Sequence, residues 1–156
     1  MQSTVIQAIE KATLEVFSLM VGVDVVPETL APGVGRGPGS KVVSAFLLSG
    51  AVSGKAEVFY TLPFAQCIAC RMLQLETPAL ESDVLDAAGE LANMIIGNVK
   101  NSLEHQLGAI RIGTPTVGFV GGEATGNQAT SVSFRCCEGV FTVSVAFKED
   151  PRCRYD

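Results

Sequence analysis

The sequence predicts an α+β fold: about six mostly antiparallel strands in one sheet packed by long helices, built from two similar helix-plus-strands halves. Three observations carry this. Apolar residues recur at helical spacing in two long stretches, each stretch is followed by two short runs rich in branched and aromatic residues, and the glycines and prolines fall between the runs. At 156 residues the chain is long enough for one well-cored domain, taken as residues 1–149 with a tail at 150–156.

Val5, Ile6, Ile9, Ala12, Val16, Phe17 and Met20 predict a first helix ending near Gly22. Beyond a Gly/Pro loop at 32–39, residues 41–49 and 55–62 read as a hairpin joined through Gly50 and Gly54. Pro63 opens a short helix whose Phe64, Cys67, Ile68, Met72 and Leu75 share a face, and which stops before Pro78. The second half repeats the plan with a helix over 82–107, an extended run over 109–117, a glycine loop and a hairpin of 130–135 with 140–147. Pro32-Gly33-Val34 before Val43-Ser44-Ala45-Phe46 and Gly54 matches Pro115-Thr116-Val117 before Val132-Ser133-Phe134 and Gly139. Two copies suit a duplicated pair of units rather than a solenoid.

Composition narrows the function. With 47% hydrophobic and 17% charged residues the chain has neither a disordered nor a coiled-coil profile, and its net charge of −5 without a basic cluster argues against nucleic acid or an anionic membrane as partner. The first sixteen residues lack a basic leader with a continuous apolar stretch, and the longest mostly apolar run, 42–52, is about half a membrane span. A cytoplasmic location is expected, with the five cysteines as free thiols.

The long helix is the informative element. On a wheel of about 100° per residue, Val84, Leu85, Ala88, Leu91, Ala92, Ile95, Ile96, Val99 and Leu103 fall on one side. Asp86, Glu90, Asn93, Gly97 and Lys100 form a narrow stripe on the other. Solvent exposure explains the charges but not Asn93 and Gly97, both poorer helix formers than alanine, glycine by about 0.8–1.0 kcal/mol. Glu90 and Asn93, one turn apart, would present a negative charge beside an amide that donates and accepts. Gly97 would let another surface approach.

Asp86-Ala87-Ala88-Gly89-Glu90-Leu91-Ala92-Asn93-Met94-Ile95-Ile96-Gly97-Asn98-Val99-Lys100 resembles the signature helix of the CheX/CheC family of bacterial chemotaxis phosphatases, with its Glu-x-x-Asn followed by Met-Ile-x-Gly. Thr114-Pro115-Thr116-Val117 and the duplication are similar as well. The resemblance implies hydrolysis of the aspartyl phosphate of a CheY-like response regulator. Glu90 and Asn93 take the catalytic positions, while Asp86, Gly97 and Lys100 serve as partner contacts. It implies no cofactor of the chain's own, Mg2+ on the receiver, and a homodimer joined through sheet edges. CheC-like members carry a second Glu-x-x-Asn in the first helix. Here Glu10 and Glu15 are followed by Thr13 and Ser18, so one active helix is expected, closer to CheX. The alternative is a non-catalytic docking module for a response regulator or a flagellar switch.

Other signals are weaker. Cys67-Ile68-Ala69-Cys70 has thioredoxin spacing but lies on the packed face of a helix, which favours inert buried thiols. Cys136, Cys137, Cys153 and His105 offer no second C-x-x-C for zinc. His105 is placed near a helix C-terminus, where a positive charge suits the dipole. The segment 33–39 has no Lys-Ser/Thr and leads into a strand, so it is read as a connection rather than a phosphate loop. Glu123, among the glycines that follow the extended run, is likewise read as loop.

Overall fold

The structure, a computed structural model, describes residues 2–28, 41–120, 129–136 and 139–148. Helix α1 covers Gln2–Val16, α2 Leu62–Leu73 and α3 Glu81–Leu107; the strands are β1 Val26–Glu28, β2 Lys41–Gly50, β3 Gly54–Thr61, β4 Ile110–Ile112, β5 Thr116–Val120, β6 Thr130–Cys136 and β7 Gly139–Phe147. All seven strands join one antiparallel sheet in the order β1-β6-β7-β3-β2-β4, with β5 also on β2.

This order has the duplication built into it. Hairpins β2–β3 and β6–β7 meet at the centre through β3 and β7. Each half then lends its leading strand to the other half's hairpin, β1 to β6 and β5 to β2. The glycine loops at 32–39 and 121–122, Glu123, Cys137, Cys153 and the tail at 150–156 lie outside the described residues.

Alternation along the strands decides which face is covered. Val42, Phe46 and Leu48 of β2, Ala56, Val58 and Tyr60 of β3, and Phe141, Val143 and Val145 of β7 are buried and belong, with the inner faces of the three helices, to one core, and Ser44 of β2 is buried on the same face. Phe17, Phe64 and Phe134 surround Phe141 at ring-centroid distances of 4.7, 5.2 and 5.2 Å. The opposite face of β6 and β7 is hydroxylic, with Ser131 to Ser144 at 2.6 Å and Ser133 to Thr142 at 2.9 Å.

Four expectations need correction. The first helix widens into a π turn at Phe17–Val21 before Gly22 (φ 75°) closes it. The extra residue per turn shifts the phase, so Met20 is half-exposed at 50% rather than core. Helix α2 ends at Leu73, where Gln74 adopts φ 53°, leaving Leu75 outside it. The extended run 109–117 is two strands, because Gly113-Thr114-Pro115 interrupts it and proline has no amide to donate. Strand β1, unforeseen, is three residues long with a central proline, Pro27, at a sheet edge where proline is tolerated.

Gly54 shows how tightly the central strands pack, since a Cβ there would collide with the Ala146 carbonyl oxygen.

Candidate functional site

Helix α3 begins after Leu80, whose amide donates to the Asp83 carboxylate at 3.0 Å. Glu81 and Asp83 in the first turn also suit the positive end of the helix dipole. It ends at Gly108 (φ 98°), whose amide donates to the Glu104 carbonyl at 3.1 Å. Val84, Ala87, Ala88, Leu91, Ala92, Ile95, Ile96, Val99 and Leu103 are buried. Two details differ from the wheel: Leu85 is half-buried, and Ala87 takes a buried place instead.

The rest of the helix presents the stripe. Asp86, Glu90 and Asn93 are exposed, and Gly97 and Lys100 are half-buried. Glu90 and Asn93, three residues apart on a continuous helix, stand with Cβ atoms about 5–6 Å apart on one face. A Cβ built on Gly97 meets nothing within 4 Å, so no atom of the described chain requires glycine there. Lys100 is engaged, its ammonium 3.0 Å from the Glu104 carboxylate. Glu104 also accepts the Ile110 amide at 3.0 Å, and that hydrogen bond, followed by the lysine, lowers its pKa below the ordinary carboxylate value. This network ties the end of α3 to β4 and holds Lys100 along the helix.

Turned inward, the corresponding position of α1 cannot serve the same purpose. Glu10 is half-buried and Thr13 is fully buried. The Thr13 hydroxyl has no hydrogen-bond partner.

The remaining candidates separate by burial. Cys67 and Cys70 are only half-buried, against the expectation of fully buried thiols, while Cys136 is buried. His105 is exposed in the last turn of α3. Among the described residues no group of three or more His, Cys, Asp or Glu could hold a metal, and no helix is long and apolar enough to cross a membrane.

Sequence reading missed how α3 is seated. The Ala88 carbonyl accepts the Ser44 hydroxyl at 3.2 Å and the Tyr60 hydroxyl at 3.3 Å. Burial pushes the Tyr60 phenol far above its usual pKa, so it remains a donor. At the next residue a Cβ on Gly89 would stand 3.0 Å from a Val117 methyl of β5. The small residues Ala87-Ala88-Gly89 are the legible trace of this close approach. The hydroxyl donors, set in otherwise apolar strand faces, were visible but carried no clue to their target.

A long helix seated on an antiparallel sheet thus carries an acid and an amide one turn apart on its open face. The family is settled by comparison: the profile described as "Chemotaxis phosphatase CheX" matches residues 42–136, and the chain belongs to the CheX family. Among solved structures, CheX from Desulfovibrio desulfuricans is 23% identical with a TM-score of 0.77, covering 92% of this chain and 99% of that one. CheX from Vibrio vulnificus is 19% identical with a TM-score of 0.76, covering 95% and 99%. The CheX-CheY-BeF3-Mg2+ complex from Borrelia burgdorferi matches at 21% identity and a TM-score of 0.71, covering 92% and 97%. No curated protein sequence matches the chain.

Proposed function

We propose that this chain is a phosphatase for the aspartyl phosphate of a CheY-like receiver domain in chemotaxis or related two-component signalling. The observation that carries the reading is the exposed Glu90 and Asn93 pair on the family's signature helix. The Borrelia relative, crystallised as a complex with CheY, BeF3 and Mg2+, supports a receiver as the partner.

In this reading the receiver brings its own magnesium ion and lysine, and the phosphatase contributes positioning. The Asn93 amide orients a water in line with the phosphorus. The water oxygen bonds to phosphorus as the bond to the aspartyl oxygen breaks, giving inorganic phosphate and the receiver's carboxylate. Glu90, an exposed carboxylate, is a poor match for a general base at neutral pH and pairs with the receiver lysine instead. Asp86 and Gly97 lie along the contact, where the glycine leaves room for the receiver backbone. Lys100 borders it as one half of its ion pair with Glu104. The family relationship also supports a cytoplasmic homodimer joined through sheet edges.

The test is the decay of a phosphorylated receiver with and without the protein. Acceleration that saturates with receiver concentration supports phosphatase action. Tight binding to the phosphorylated receiver with unchanged decay would establish a docking module in its place.

A further inference from the structure

Two hydroxyls from neighbouring strands converge on one helix carbonyl two residues before Glu90. Ser44 on β2 and Tyr60 on β3 are 0% and 1% exposed, and both donate to the Ala88 oxygen, at 3.2 and 3.3 Å. An interior helical carbonyl already accepts the amide four residues on, here that of Ala92, so α3 does not need these donors to be a helix. Nor does the core need the hydroxyls. Their neighbours on the same faces are Val42, Phe46, Ala56 and Val58, all buried, and alanine and phenylalanine would fill the same shapes without a polar group to satisfy.

What the hydroxyls add is direction. Apolar contact between helix and sheet is non-directional and tolerates rotation of the helix about its axis. Two hydrogen bonds from separate strands to one carbonyl do not. A rotation of about 20° sweeps a side-chain tip 5–6 Å from the axis through about 2 Å, and misplacement of about 1 Å can cost a catalytic group on the order of 100-fold. Gly89 resists rotation at the same turn, its missing Cβ leaving α3 close against Val117. The ring of Tyr60 itself packs against Phe64 and Phe141, with ring centroids at 6.1 and 6.2 Å.

We propose that Ser44 and Tyr60 are positioning residues of the Glu90–Asn93 site, setting through the Ala88 carbonyl the angle at which α3 presents that pair. This rests on the phosphatase reading above. Neither residue touches the receiver.

The experiment compares the parent chain with Tyr60→Phe, Ser44→Ala and the double variant, alongside Asn93→Ala. The readouts are steady-state dephosphorylation of the receiver and amide hydrogen exchange along α3, both well below each variant's melting temperature. Because one hydroxyl still holds the carbonyl in each single variant, each is expected to lower kcat by about threefold or less, and the double variant by about 30-fold or more, with KM within about twofold. Exchange should rise at residues 88–97 of the double variant and stay at the parent's level at 99–107. An unchanged kcat in the double variant, or exchange rising evenly along α3, would overturn the proposal and leave the hydroxyls as core packing. If the parent and Asn93→Ala are equally inert toward the receiver, the phosphatase reading fails instead. The exchange pattern then still decides whether the two hydroxyls hold that turn.

Discussion

Helices α1 and α3 head the two halves of a duplicated chain, yet only α3 carries an exposed Glu-x-x-Asn pair. Three residues beyond its glutamate, α3 has exposed Asn93, whereas α1 has buried Thr13. The lesson lies in rotation: a motif position is a site only if the helix turns it away from the sheet. In α1 the position faces the core, and its hydroxyl is left without a partner.

The largest effect that would test this asymmetry is on catalysis. Asn93→Ala is expected to remove at least roughly 100-fold of the acceleration of receiver dephosphorylation. Thermal melts should change little, since exposed substitutions stay within about 0.5 kcal/mol. Thr13→Ala, the matched change in α1, should leave the rate constant intact. A folded Asn93→Ala protein with full activity would overturn the catalytic assignment of Asn93.

Next in size is the charge at Glu90. Glu90→Gln keeps the shape and loses the ion, and is expected to weaken receiver binding and turnover together by about tenfold, in the range of one lost charge-assisted contact. Titration of the variant against the phosphorylated receiver checks this, and parental affinity would remove the ionic role.

Stability should respond in the opposite sense at Thr13. Thr13→Val removes an unsatisfied hydroxyl at nearly constant volume and is expected to stabilise the fold by about 1 kcal/mol, read from denaturant unfolding. A loss of stability would mean that the hydroxyl is satisfied in solution.

Two glycines of α3 sharpen the contrast between its faces. Gly97→Ala has open space and should gain up to about 1 kcal/mol from helix propensity, at the expense of receiver turnover if that space is used. Gly89→Ala has the same propensity to gain but places a Cβ 3.0 Å from the Val117 methyl, so its melting temperature should rise less than that of Gly97→Ala, or fall. Equal gains would mean that β5 does not press on the helix.

The smallest effect concerns pH. The Glu104 carboxyl is held below its ordinary pKa by the Ile110 amide and Lys100. Folding therefore favours its ionised form: the contribution is present above the ordinary carboxylate range and fades as pH falls through the lowered folded value. Glu104→Gln should accordingly lose more stability at about pH 7 than at about pH 3, compared by denaturation midpoints.

Much of this was legible because the sequence states periodicity directly. The boundaries of α3, both hairpins, the inward face from Val84 to Leu103 and the outward stripe follow from spacing alone, and the Glu-x-x-Asn helix stood out because Asn93 and Gly97 are poor helix formers. What escaped depended on non-local geometry. The π turn that rotates Met20 outward, the three-residue β1, and the meeting of Ser44, Tyr60 and the Ala88 carbonyl are set by how distant segments dock, which local periodicity does not encode. The wheel placed Lys100 on the outward stripe but not its ion pair with Glu104 one turn on, which depends on the rotamers of both side chains.

The exchange of leading strands between the halves bears on how the molecule forms. Glu28 and Arg135, joined by an ion pair across β1 and β6, are 107 residues apart in sequence, and β5 closes on a strand made long before it. Among the described residues neither half forms a three-stranded sheet from its own strands. Closing such long loops costs entropy before the contacts repay it, so folding should be slow for the chain's size. A ribosome must release most of the chain before the sheet can close. The Glu90–Asn93 surface therefore acquires its firm backing late, as the product of a single cooperative assembly rather than of α3 and its own half.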